Sequence, residues 1–348
     1  MIGTLLRWIT ALAVVGLVGA GVTASAAETP KAPPKPSEGA PAKAAASKPA
    51  YSATRSQSRK TRLASARVTA NAREFASTIL PRYKVDASGD LVPDLRAAAA
   101  IIFDPQTNEV LWEENSQSQR SIASITKVMT AVVFLESNPD PSQEVTIVRA
   151  DVYQASTTKL WTNDRVTVDD LLHLLLIPSD NAAARALARI SPQGSAGFVS
   201  RMNEKAAEMG LASTQYADPS GLLSDNVSSA YDMARLIAYA SADDRISTIM
   251  RTPEYTVHAA KRTLNFHSTN QLLGRGEYDV RAGKTGFISK AGYCLATLLR
   301  MPQGGQQVAV VVLGARSNAG RFLETQNLFS WLSNKATSIF ATTTPPPE

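Results

Sequence analysis

The chain has 348 residues, 44% of them apolar, with a net charge of +6 and a single cysteine. That length and composition suit one large domain or two smaller ones with appendages, and allow a full buried core. One cysteine excludes a disulfide framework, and the confinement of the excess positive charge to residues 27–70 excludes a basic nucleic-acid-binding domain.

At the N-terminus, Arg7 precedes an uncharged apolar run from Trp8 to Val22, followed by Ala24-Ser25-Ala26. This pattern predicts a secretory signal peptide over residues 1–26, cut after Ala26 or Ala27. An uncleaved anchor is the alternative, but the apolar core falls short of the ~20 residues that a spanning helix needs. Residues 27–93 read as a disordered linker and lead-in, because Ala27–Ala70 holds mostly Ala, Pro, Ser and Lys and has too few large apolar side chains to offset ordering entropy. Nine lysines and arginines stand there against Glu28 and Glu38, so that stretch carries +7 and residues 71–348 carry −2. The basic character thus belongs to a tail. It suits weak association with anionic wall polymer or lipid, a plain solubilising spacer being the alternative. The implied location is outside the cytoplasmic membrane, periplasmic or wall-associated.

The folded domain is placed at residues 94–335, followed by a flexible tail, 336–348. Ala97–Phe103 and Val110–Trp112 read as a hairpin around the turn Asp104–Asn108. A helix is predicted from Ser124 through Leu135. Helical segments follow at Val168–Ile177, Asn181–Ile190, Gly197–Met209 and Tyr231–Ala240. The chain then returns to strands at Tyr278–Thr285, Gly292–Arg300 and Gln307–Leu313, and closes with an amphipathic helix, Phe322–Asn334. Strands at both ends with helices between predict an α+β fold. Its antiparallel sheet comes from both termini, around an inserted helical region.

Three short motifs carry the chemistry: Ser124-Ile125-Thr126-Lys127, Ser179-Asp180-Asn181 and Lys284-Thr285-Gly286. Ser124 and Lys127 lie three apart on one helix face, within reach of each other. A serine hydroxyl needs a neighbouring base to become a nucleophile. A lysine serves as that base only when neutral, which burial or a second cation such as Lys284 promotes. Taken singly, Ser124 could be a helix N-cap and Lys127 a solvated side chain. Ser179, Asp180 and Asn181 sit at a helical corner after Pro178, where capping is the plain alternative. A second Ser-Asp-Asn, Ser224–Asn226, reads as a loop element near the site. Lys284 and Thr285 end a β-prone run beside Gly286 and suit a substrate carboxylate. A P-loop reading of Gly283-Lys284-Thr285 fails, because Tyr278 stands where its first glycine belongs. Cys294 lies in an apolar strand and reads as a core thiol. His173, His258 and His267 have no metal-ligand spacing, so neither metal nor cofactor is expected.

The three motifs in this order form the set shared by penicillin-binding proteins and class A β-lactamases. With Asp218-Pro219-Ser220-Gly221-Leu222 and Phe287…Ala291-Gly292-Tyr293-Cys294-Leu295, residues 97–335 resemble the serine D-alanyl-D-alanine peptidases, the low-molecular-mass penicillin-binding proteins. The resemblance implies a β-lactamase/transpeptidase-like fold and a monomeric hydrolase. Its substrates are peptidoglycan stem peptides, and β-lactams are its inhibitors. It further implies Ser124 as acylated nucleophile and Lys127 as general base. Ser179 and Asn181 assist proton transfer and hold the substrate amide. By the same resemblance Lys284 and Thr285 bind the terminal carboxylate, Gly286 and Phe287 belong to the substrate-binding strand, and the Ser124 and Phe287 backbone N–H groups form the oxyanion hole. The short stretch after Lys284 leaves no room for a second β-domain, which is more similar to the D,D-endopeptidase branch. The alternatives are a class A-like β-lactamase, for which no flanked Glu is found between Asn181 and Lys284, and a non-catalytic wall-binding homologue.

Overall fold

The computed structural model describes residues 80–343 except 260, 261, 275, 303 and 304. The expected signal peptide, and the linker up to residue 79, lie outside the described residues. In chain order the elements are β1 (Tyr83–Val85), β2 (Leu91–Pro93), β3 (Ala99–Asp104), β4 (Glu109–Glu114), β5 (Arg120–Ser121), a 3-10 turn (Ala123–Ile125), α1 (Thr126–Leu135), β6 (Glu144–Thr146), α2 (Arg149–Val152), β7 (Arg165–Thr167), α3 (Val168–Leu176), α4 (Asn181–Ile190), α5 (Gly194–Glu208), β8 (Val227–Ser228), α6 (Ala230–Ser241), α7 (Asp244–Met250), β9 (Glu254–Ala259), β10 (Arg262–His267), β11 (Asp279–Ile288), β12 (Gly292–Arg300), β13 (Gln307–Ala315) and α8 (Asn318–Thr343).

Five strands form one antiparallel sheet in the order β11-β12-β13-β3-β4. The sheet is therefore built from both ends of the domain, as the sequence predicts. β3 and β13 read as unbroken apolar runs because both faces are covered. Ala99, Ile101, Phe103, Ala309, Val311 and Leu313 face one core, while Ala100, Ile102, Val308, Val310 and Val312 face the other. The first core lies under the inserted helical region, with α6 against the sheet; Phe322, Leu328 and Phe329 of α8 cover the second. Cys294 is fully buried on β12, and burial pushes its thiol up to about 11, as expected of a core thiol.

α1 is the axis of the helical region. All ten of its residues are buried, including Lys127 and Thr130, and α3, α4, α5 and α6 pack around it. A helix enclosed on every side has no solvent face to give its polar residues. Lys127 therefore enters the interior because the fold leaves it nowhere else.

Two described strands, β1 and β2, lie upstream of Asp94, where the sequence places the start of the domain. β1 and β2 form a hairpin closed by an Arg82–Asp94 ion pair, and Trp331 Nε1 of α8 donates to the Leu91 carbonyl at 3.1 Å. At the other end α8 runs on past Lys335, into the stretch read as tail. The β9–β10 hairpin, α7 and the short pairs β5–β8 and β6–β7 are not among the predicted elements. β9 and β10 alternate exposed with less exposed or buried positions over six residues each, an alternation carried by Tyr255, Val257, Ala259, Leu264 and Phe266 that is itself a strand pattern and that the expected layout lacks.

Candidate active site

The nucleophile candidate sits in the 3-10 turn that leads into α1. Ser124 does not cap that helix: the N-cap position falls to Ile125, without a side-chain cap. Ala123, just before Ser124, is held at φ +49°, a left-handed conformation costing a non-glycine residue roughly 1–2 kcal/mol. Two glycines crowd the same turn. A Cβ on Gly221 would lie 2.1 Å from the Ala123 carbonyl oxygen, and one on Gly286 would lie 2.6 Å from the Ile122 oxygen and 3.2 Å from the Ser124 nitrogen. β11 and the Asp218–Leu222 loop thus press their bare backbones on either side of Ser124. β11 is also the edge strand, with no strand beyond it among the described residues.

Lys127 Nζ lies 3.0 Å from Ser124 Oγ, 2.6 Å from Asn181 Oδ1 and 2.5 Å from the Ser220 carbonyl. Those three neighbours and the Lys127 chain account for all four tetrahedral positions on the nitrogen. A neutral amine that donates its two protons to the two carbonyl-type oxygens turns its lone pair to the Ser124 hydroxyl. Burial brings Lys127 down to about 7, against the pull of Asp180 and Asp218. The second cation anticipated at Lys284 acts the other way round: Lys284 is held well below the usual lysine range by burial first, then by Lys127 and Arg321.

The Ser179–Asn181 corner divides its tasks. Asp180 caps α4, accepting from the Ala183 amide at 3.0 Å, and also from the Lys159 amide at 3.2 Å. Asn181 is anchored by its Nδ2 on the Ala155 carbonyl at 2.7 Å, which aims Oδ1 at Lys127. Ser179 has φ +66°, and its hydroxyl is buried without a hydrogen-bond partner among the described residues. No hydrogen bond joins it to Ser124 or Lys127 among the described residues. So the capping expected of such residues is real but belongs to Asp180, and Asn181 is the member that meets Lys127.

On β11, Lys284 is 1% exposed, and its Nζ donates to the Thr285 carbonyl at 3.1 Å. No carboxylate pairs with it among the described residues. The Thr285 hydroxyl donates to Thr269 Oγ1 at 2.6 Å. Phe287 is 49% exposed and stacks on Tyr293, with centroids 4.2 Å apart. Behind the strand, buried Arg321 donates to the Gly286 and Cys294 carbonyls at 3.1 and 3.2 Å. Nothing local in the sequence marks Arg321, 35 residues beyond Gly286, as a partner of this strand.

Asp218 organises the last side. Its carboxylate accepts from the Ser220, Gly221 and Leu222 amides and from Asn226 Nδ2. Asn226 closes the loop with Oδ1 on the Ala217 amide, and its carbonyl accepts from Ile122 N at 3.1 Å. The second Ser-Asp-Asn is thus a brace beside the site. In the sequence Asp218-Pro219-Ser220-Gly221 carries only the family resemblance; its role, holding the Ser220 carbonyl on Lys127, comes from the fold. Asp218→Ala is expected to cost about 2–4 kcal/mol, because several donors lose a charged acceptor, and to slow penicillin acylation with it. Thermal unfolding and acylation kinetics check both; unchanged acylation by a folded variant contradicts the role.

A buried lysine poised on a serine hydroxyl and an asparagine amide, with a second buried lysine on the adjoining sheet edge, fits the class of active-site serine acyl-transfer enzymes with a transpeptidase-like fold. Comparison with known proteins narrows this. The family model for D-alanyl-D-alanine carboxypeptidase matches residues 86–317, so the chain belongs to that family and is a serine D-alanyl-D-alanine peptidase. It is 34% identical over 227 residues to a D-alanyl-D-alanine endopeptidase of Haemophilus influenzae, covering 65% of this chain and 78% of that protein. It is 30% identical over 226 residues to the D-alanyl-D-alanine carboxypeptidase DacF of Bacillus subtilis, covering 63% and 57%. The fold is similar to penicillin-binding protein D2 of Listeria monocytogenes in its cefotaxime-bound form, with TM-score 0.60, 29% identity, and 68% and 97% of the two chains covered.

Proposed function

We propose that this peptidase is a D,D-endopeptidase, opening the cross-link between two peptidoglycan stem peptides through an acyl-enzyme on Ser124. The three-way seating of the Lys127 amine supports this mechanism most directly. The substrate backbone lies along the open edge of β11. Ser124 Oγ attacks the D-alanyl carbonyl as Lys127 takes its proton. The Ser124 and Phe287 amides, beside the N-terminal end of α1, hold the oxyanion. The proton returns to the departing amine through Lys127 with Ser179, whose hydroxyl has no hydrogen-bond partner among the described residues and gains one when substrate is present. Water then releases the acyl group.

Lys284 and Thr285 receive the carboxylate next to the departing amine. A buried cation without an anionic partner is costly, so an arriving carboxylate restores the charge that burial suppresses. Penicillins, which present a carboxylate near a strained amide, acylate Ser124 in the same way; the cefotaxime-bound state of the Listeria protein is in keeping with this. The endopeptidase assignment is supported by identity: 34% over 227 residues to the Haemophilus endopeptidase against 30% over 226 residues to the carboxypeptidase DacF. The domain corresponds to residues 94–335 with the β1–β2 hairpin added, and residues 1–26 act as an export signal that places it outside the cytoplasmic membrane. No described helix is long and apolar enough to cross a membrane.

Mass spectrometry on two defined muropeptides tests the assignment. A cross-linked dimer is expected to be split, and a pentapeptide monomer to lose its terminal D-Ala far more slowly. Rapid trimming of the monomer with the dimer left intact would make the protein a carboxypeptidase.

A further inference from the structure

Beside the catalytic corner stands an aromatic ring that the chemistry above does not use. Trp161 is 63% exposed, although burying a side chain of this size is worth several kcal/mol. Nor is it loose. The Arg262 guanidinium lies over the ring, 3.6 Å from its centroid. Arg262 is itself fixed by an ion pair to Asp164 and by donation to the Lys159 carbonyl at 3.2 Å. Asp164 also accepts from the Trp161 amide at 2.8 Å, and its own amide donates back to the Trp161 carbonyl at 3.1 Å. One face of the indole is therefore backed by a cation and its ring plane is set, while the other face meets solvent.

The same loop is fastened to the catalytic residues. Asn181, which holds Lys127, is tied to the Ala155 and Thr157 carbonyls, and the Lys159 amide donates to Asp180. Only one residue, Leu160, stands between Lys159 and Trp161, at most about 7 Å of chain from one to the other. A rigid aromatic plane with one open face, fixed to the active site, is pre-organised for a ligand and loses little entropy on binding.

Resting on the peptidase reading, we propose that Trp161 is a docking platform for a pyranose ring of the glycan strand that carries the stem peptide. A flat ring face matches the C–H face of a sugar, whereas an extended peptide already has its place along β11. A stem of about four residues reaches at most about 14 Å, so the sugar at its far end falls near the cleft rim while the D-alanyl carbonyl sits on Ser124. Thr162 and Asn163, next in the loop, supply polar neighbours suited to hydroxyl and acetamido groups.

Intrinsic fluorescence titration tests this with a peptide-free tetrasaccharide of alternating N-acetylglucosamine and N-acetylmuramic acid. The wild type is expected to bind saturably, Trp161→Phe to bind a few-fold more weakly and Trp161→Ala at least about 10-fold more weakly by calorimetry. Penicillin acylation by Trp161→Ala should stay at the wild-type rate, which also certifies its fold. In turnover, Trp161→Ala should raise KM for a sugar-bearing cross-linked dimer and leave a sugar-free dimer unaffected. Equal tetrasaccharide affinity in wild type and Trp161→Ala, or no binding by either, overturns the platform. Glycan binding that depends on Trp161 in a protein that splits neither dimer sustains the platform and defeats the endopeptidase reading instead.

Discussion

Lys127→Ala is expected to slow acylation of Ser124 by penicillin at least about 10³-fold, the upper range for loss of a positioned general base, with the fold retained. The loss is large because the amine meets Ser124, Asn181 and the Ser220 carbonyl at once, and no other basic side chain meets the Ser124 hydroxyl among the described residues. The pH dependence follows from the lowered amine. With Lys127 at about 7, only the neutral form accepts a proton, so the wild-type acylation rate rises through about pH 7 and levels off above it. Stability follows the same sign. Below about 7 the amine is charged in both folded and unfolded protein; between about 7 and 10.5 the unfolded chain alone holds that proton, so stability rises with pH across that window. Lys284, also held low, adds in the same direction. Stopped-flow acylation and denaturation series at several pH values check both. A Lys127→Ala protein labelled at the wild-type rate, or a rate that falls as pH rises through 7, contradicts the assignment.

Gly221→Ala carries the second large effect, this time through backbone. Gly221 sits at φ +80°, and an added Cβ would meet the Ala123 oxygen at 2.1 Å, its carbonyl carbon at 2.5 Å and the Ser124 nitrogen at 2.9 Å. All three are main-chain atoms, which cannot swing aside as a side chain does. The left-handed φ and the overpacking together should cost roughly 3 kcal/mol. The relief available is movement of the Ala123–Ser124 turn, so acylation should fall at least about 100-fold even where the protein stays folded. Thermal unfolding with penicillin labelling measures the two separately. A variant as stable and as readily acylated as wild type would mean that the loop does not press on the nucleophile.

Both results depend on contacts that the sequence reveals unevenly. The Ser124–Lys127 pair was legible because helical spacing alone brings i and i+3 together. The doubly buried strands were legible because β3 and β13 are unbroken apolar runs. Other features depend on distant parts of the chain meeting. Sequence offered burial or Lys284 as the means of lowering Lys127; only the packing of four helices around α1 singles out burial. Arg321 reaches Gly286 from a different element, and Asp218 acts on Lys127 through the carbonyl of Ser220. The second Ser-Asp-Asn shows the limit of motif matching. Ser179–Asn181 and Ser224–Asn226 are identical in sequence, yet one presents Asn181 to Lys127 and the other braces Asp218 through Asn226. The β9–β10 hairpin carries a readable alternation at Tyr255, Val257, Leu264 and Phe266; what the sequence hides is that it places Arg262 over Trp161, a meeting of distant parts of the chain.

The central claim is that Ser124 is the residue that becomes acylated. Intact-mass analysis of penicillin-treated protein, followed by peptide mapping of the adduct, tests it most directly. The account predicts one covalent penicilloyl group, located on Ser124 and absent from Ser124→Ala. An adduct on another residue, or one that persists in Ser124→Ala, would contradict it.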